Sequence, residues 1–228
     1  MDISTLFKTL SSADSALLPS ASALWLALHL GWAIVLGGGA RWLARRFVPR
    51  YQLVLAGLVL LWCLLPGALS PAFWLGLAFQ SPSTMTVVIC LGCLLQRLGR
   101  TPTSATSSAT ADARSVRTLV VPGVVLGWVL LLDTLAWFPV SVYAWGFTVS
   151  AVVGAVVMAA LFWLQQGTRT SALPLCVLAL FVLTRLPSGN LWDGLLDPWL
   201  WVVLQASWLV SALCRGGRAT RLPAATRV

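Results

Sequence analysis

Long apolar runs alternate along the chain with short clusters of arginine, proline or small polar residues. The runs lie at about Ser20–Gly39, Tyr51–Leu69, Pro82–Arg97, Leu119–Phe138, Val140–Leu164, Ser171–Leu186 and Pro198–Cys214. Several approach or exceed the roughly 18 residues that call for a transmembrane helix. The pattern predicts an all-α integral membrane protein built as a seven-helix transmembrane bundle. The segment Pro71–Phe79 is apolar and aromatic but too short to cross, and it is expected to lie along the outer interface. The third run spans only about 24 Å at 1.5 Å per residue. Six spans, with a re-entrant or interfacial segment over 71–97, is therefore the alternative.

Polar positions divide the chain further. In residues 1–18, Ile3, Leu6, Phe7 and Leu10 recur at helical spacing and suggest an interfacial segment. Helices one to three occupy 19–97. A Thr- and Ser-rich stretch at 98–117 reads as a flexible cytoplasmic linker, because small polar residues bury too little surface to offset ordering. Helices four to seven occupy 118–214, and 215–228 form a basic tail. Ser81-Pro82 and Asp197-Pro198 each read as an N-cap followed by proline at the first helical position. Small residues at Gly123 and Gly127, and at Ala151, Ala155 and Ala159, predict a close hairpin of the fourth and fifth helices turned at Pro139.

Composition supports the membrane reading. Of the 228 residues, 59% are hydrophobic and 9% charged, with mean hydropathy +0.89. A soluble domain carries about 25% charged residues, so this chain cannot cover a water-facing surface. The net charge of +9 does not point to nucleic acid, because the arginines gather at the ends of apolar runs, as membrane orientation requires. With the N-terminus outside, the C-terminus cytoplasmic and seven crossings, thirteen of the fifteen basic residues fall on the cytoplasmic side. Lys8 and Arg185 are the exceptions. The location this implies is a bacterial-type inner (plasma) membrane, with anionic lipids as neighbours of the arginine clusters. The chain is rich in tryptophan, with thirteen in all. Trp25, Trp74, Trp137, Trp145, Trp192, Trp199 and Trp201 are expected to form an outer belt.

Few residues are candidates for chemistry. Asp133 lies in an apolar run, about 9 Å below its outer end at 1.5 Å per residue, and an acid there tends to face the interior or a water-filled cavity. Arg185 comes from the same side, which suggests an Asp133–Arg185 ion pair. Asp193 and Asp197 sit in the turn after Arg185. His29 lies near the middle of the first run, and Gln205 in the last is expected to hydrogen-bond between helices. These six residues make up a candidate intramembrane polar site. A lone histidine with no second ligand at helical spacing argues against a metal site built on it. Cys90 and Cys93 have redox-pair spacing, but no second such pair exists and they fit packing thiols. Neither an acid–histidine constellation nor a nucleophile elbow is present, so no enzyme and no cofactor is expected. The function this suggests is a non-enzymatic accessory or assembly subunit of a membrane complex. A membrane-protein partner or a second copy of the chain would then be its companion. The alternative is a small-solute transporter or channel using polar residues near the outer leaflet.

Overall fold

Where the chain turns, proline and short polar side chains decide where each helix begins. The structure, a computed structural model, describes residues 20–96, 107–167 and 171–219. Over those residues the protein is all-helical, with no strand. The helices are α1 (Ala21–Leu43), α2 (Pro49–Cys63), α3 (Pro71–Phe79), α4 (Thr84–Gln96), α5 (Ser107–Thr134), α6 (Val142–Trp145), α7 (Val149–Gln166), α8 (Leu173–Thr184), α9 (Leu191–Leu195) and α10 (Pro198–Ala219). Two are long and apolar enough to cross a membrane: α1 with its 3-10 extension to Arg46, and α7. The apolar parts of α2, α4, α5, α8 and α10 are shorter.

Helix starts follow elementary capping. Ser20, Ser70 and Thr148 accept from backbone N–H groups in the first turns of α1, α3 and α7, and prolines open α2, α3 and α10, where the missing N–H costs nothing. Gly167, at φ 61°, ends α7 in the left-handed conformation that a residue without Cβ adopts freely.

Packing partners are legible from residue offsets. Gly31 lies against Pro82, Gly38 against Cys90, and Arg41 donates to the Leu94 carbonyl. The nearly constant difference in number makes α1 and α4 parallel neighbours. Gly37 faces Ala56 and Leu60, while Trp32 and Ala33 share a core with Cys63 and Ala72, so α1 and α2 are antiparallel and α3 closes their far end. Gly123 meets Leu204 and Gly127 meets Trp201, an antiparallel contact of α5 with α10. Ala151, Val152 and Ala159 of α7 pack with Leu178 and Phe181 of α8 and Leu191 of α9.

Several boundaries differ from expectation. The run Val140–Leu164 is not one helix: it divides into α6 and α7 because Thr148 caps a new start, its Oγ1 accepting from Ala151 N at 3.3 Å. The fourth and fifth runs do not form a close hairpin. Gly123 and Gly127 instead admit the large side chains of Leu204 and Trp201 from α10, and the alanines of α7 serve α8. The cap of α4 is Ser83 rather than Ser81, since Ser83 Oγ accepts from Thr86 N at 3.1 Å. Asp197 caps α10 as expected. The linker lies outside the described residues over 97–106; from Ser107 the backbone is helical, in keeping with the alanine content of that stretch. Residues 1–19 and 220–228, which include the N-terminal segment and most of the basic tail, lie outside the described residues as well.

Candidate functional site

The turn 185–197 interlocks with the turn 135–148 on one side and with the start of α4 on the other. The polar chemistry of the described residues is concentrated there.

Asp197 is the centre of one half. It is only 8% exposed, and its carboxylate is fully engaged. Oδ1 accepts from Leu200 N at 2.7 Å, in the first turn of its own helix. Oδ2 accepts from Ser83 N at 2.8 Å and from Thr86 Oγ1 at 2.6 Å, at the start of α4. One carboxylate thus caps two helices whose sequences begin 114 residues apart. Both N-termini present orphan N–H groups and a partial positive charge, and an anion satisfies both requirements. Thr84 Oγ1 adds a bond to the Leu186 carbonyl at 3.1 Å. Gly194 of α9 lies close to the Phe181 ring.

Asp133 and Asp193 build the other half. Asp133, at the end of α5, accepts from Ser141 Oγ at 2.9 Å, Val142 N at 3.0 Å and Tyr143 N at 2.7 Å, and so holds the start of α6. Tyr143 passes the connection on, its hydroxyl donating to Asp193 Oδ2 at 2.8 Å; Ser188 Oγ donates to the same oxygen. Desolvation, then the neighbouring Asp193 carboxylate, pushes the Tyr143 phenol well above its ordinary range. Asn190 Nδ2 donates to the Tyr143 carbonyl at 2.9 Å, Trp192 Nε1 to the Val142 carbonyl at 2.9 Å, and Leu191 N to the Gly146 carbonyl at 3.0 Å. The approach is so close that a Cβ on Gly146 would lie 2.1 Å from Asn190 Oδ1, a contact only glycine avoids.

Of the six sequence candidates, the structure brings Asp133, Arg185, Asp193 and Asp197 to this one end of the molecule. Asp133 and Arg185 do not pair. The Asp133 oxygens are taken by the α6 turn, while the Arg185 guanidinium lies over the Phe181 ring at 5.5 Å. Arg185 itself ends α8 at φ 54°, with its N–H donating to the Phe181 carbonyl at 2.7 Å. Capping at short range thus prevails over a longer reach between charges. His29 lies apart in α1, 2% exposed, with Nδ1–H donating to the Trp25 carbonyl at 3.0 Å and its ring 4.1 Å from that of Trp25. Gln205 faces a shallow open groove on α10 with Val202, Ala206, Trp208 and Leu209. Trp192 and Trp201 are not free anchors: Trp201 Nε1 donates to the Val124 carbonyl at 3.2 Å. Trp25, Trp74, Trp137, Trp145 and Trp199 are exposed.

Ser83, Thr86, Tyr143, Ser188 and Asn190 belong to this end and were not anticipated. Asn190, placed before Leu191-Trp192-Asp193, carried a readable N-cap signal; the others are set by partners far away in sequence. Cys63, Cys90, Cys93 and Cys176 are free thiols, and no metal-ligating cluster exists among the described residues. Compared with known proteins, the chain matches no protein-family model, no curated protein and no solved structure.

Proposed function

We propose that the protein is a multi-pass inner-membrane protein, crossing seven times with its N-terminus outside, and that it serves as a non-enzymatic accessory or assembly subunit of a membrane complex. One observation carries this reading: the polar interior is consumed by capping while the helix faces are apolar outside. Among the described residues, His29 Nε2 and Arg41 Nε are the only buried side-chain nitrogens or oxygens without a partner. The carboxylates at the interlocked turns hold helix ends together: both oxygens of Asp197 and of Asp133 and one of Asp193 accept hydrogen bonds there. Outward, α1 presents Trp25, Leu26 and Leu30, α2 presents Val54, Leu58 and Leu61, and α10 presents Val202, Val203 and Leu209, all at least two-fifths exposed. The apolar windows of α1 and α7 are only 28% and 17% buried. A core helix of a soluble protein would be mostly covered, and soluble monomers rarely expose large continuous apolar patches. Lipid or partner helices suit these faces.

Transport is the less supported reading. Helix N-termini at the starts of α4 and α10 are where an anionic solute would be held, and Asp197 already occupies both.

The test is single-cysteine accessibility in intact cells combined with the mass of the gently solubilised protein. Labels at Ser141 and Ser188 should react from outside, and labels at Arg45 and Arg50 only after the membrane is permeabilised. A stoichiometric protein companion in the solubilised particle is expected. Extraction of the chain by alkaline carbonate would overturn the membrane reading. A monomer or homo-oligomer that moves solute, and stops doing so in Asp197→Asn, would replace the accessory role by transport.

A further inference from the structure

Among the described side chains, Arg41 is a buried cation without a counter-anion. It is 7% exposed, Nη1 donates to the Leu94 carbonyl at 2.8 Å, and Nε is shielded from water with no partner. Guanidinium stays protonated in proteins, so the charge cannot be relieved by losing a proton. The carbonyl at the end of α4 supplies only the partial negative charge of a helix C-terminus, equivalent to roughly half an elementary charge. The described carboxylates cannot help. Asp197 sits at the far end of α4, about 15 Å away for the ten residues between Thr84 and Leu94 at 1.5 Å each, and Asp133 and Asp193 are bound in the turns at that same far end.

With Nη1 on Leu94, the Nε/Nη2 edge is left, and once a small side-chain shift uncovers Nε this fork matches two oxygens of a phosphate or carboxylate. Its surroundings select among anions. Arg45 follows one turn later and stacks on Trp42 at 4.6 Å; Arg46 and Arg50 are exposed beside it. Leu43, Phe47, Val48 and Tyr51 are 57–74% exposed, so an apolar shelf borders the basic cluster. A free anion gains nothing from that shelf, whereas an acyl chain does.

We propose that the arginine-bearing end of α1, α2 and α4 binds the phosphodiester of an anionic phospholipid, with the Nε/Nη2 edge of Arg41 as its principal ligand. The proposal rests on the membrane reading above and narrows it from a general lipid surface to one headgroup site.

The test is native mass spectrometry of the full-length protein in mild detergent, titrated with phosphatidylglycerol or phosphatidylcholine of identical acyl chains. A photoreactive phosphatidylglycerol maps the location. Wild type should hold one phosphatidylglycerol at least about fivefold more tightly than phosphatidylcholine. Arg41→Lys, which keeps charge but loses the fork, should weaken that binding about tenfold, and Arg45→Ala or Arg46→Ala less than about threefold. Crosslinks should fall within residues 41–51 and at Leu94–Leu95. Equal binding of the two lipids, crosslinks elsewhere, or an unchanged Arg41→Lys would overturn the proposal. Displacement of the lipid by millimolar inorganic phosphate would assign the site to a free anion instead. Should Arg41→Lys fail to fold by circular dichroism, lipid preference and crosslink position in the wild type decide alone. Carbonate extraction separates the two readings: an integral protein without headgroup preference removes only this proposal.

Discussion

Replacing Asp197 with alanine removes the acceptor shared by two helix ends. Three hydrogen bonds go with it: those from Ser83 N, Leu200 N and Thr86 Oγ1. The Thr86 hydroxyl retains an alternative in Ser83 Oγ at 2.9 Å, so its loss is small. The two backbone N–H groups, that of Ser83 buried and that of Leu200 half-buried, have no such alternative, and each costs about 1–3 kcal/mol when left unsatisfied. Asp197→Ala is therefore expected to destabilise the protein by about 4 kcal/mol. Asp197→Asn keeps one oxygen and can serve one helix start, while its amide group faces the other N–H donor to donor; about 2 kcal/mol is expected. Thermal unfolding in mild detergent, followed by the fluorescence of the thirteen tryptophans, reads both. At roughly 2–4 °C per kcal/mol for a chain of this size, the alanine variant should melt about 10 °C lower and the asparagine variant about half that. Thr86→Val combined with Asp197→Asn should fall short of the sum of the single losses, because the two share one bond. An alanine variant melting within about 2 °C of wild type would refute the double cap.

Three further outcomes follow from other positions. Gln80 ends α3 at φ 61° and ψ −152°, a region that costs a side chain about 1–3 kcal/mol; Gln80→Gly should raise stability by about 1 kcal/mol in the same melt, and a loss would show that the side chain matters more than the backbone. Gly127→Ala would place a Cβ 2.2 Å from the Trp201 ring, so a loss of about 1–3 kcal/mol is expected from overpacking, together with a change in the near-ultraviolet signal of Trp201 and Trp128. The Tyr143 phenol is raised above its unfolded value of about 10. The folded state therefore holds this proton longer than the unfolded state, so its contribution is present below about pH 10 and is lost as pH rises through the folded value. The melting temperature should fall more steeply above pH 10 in wild type than in Tyr143→Phe, and parallel curves would contradict the assignment.

Much of the architecture was legible because it is local. Apolar periodicity marks where the helices lie, and Asp197-Pro198 announces the start of α10 within two residues. The same local logic fails wherever the partner is remote. Nothing near Ser83 shows that a carboxylate 114 positions later completes its cap, and that missing partner is why Ser81 looked the better choice. Asp133 and Arg185 looked like a pair because both are rare charges near one end of apolar runs, yet the acid meets backbone N–H groups nine and ten residues on before it can reach a guanidinium. Gly123 and Gly127 signal close approach without naming the helix that approaches. Arg41 reads in sequence as one arginine among four that set orientation. Its burial emerges only when α4 lies alongside.

The two ends of α4 are gripped by side chains from different helices, Asp197 of α10 at its start and Arg41 of α1 at its finish. Each grip opposes displacement along the axis: a slide one way draws Ser83 off the carboxylate, and a slide the other way strips Leu94 from the guanidinium. A piston stroke or a screw turn of α4 must therefore break a charged contact at one terminus or the other. Any large motion of this protein should carry α1, α4 and the head of α10 together as a single strut, with the hinge elsewhere.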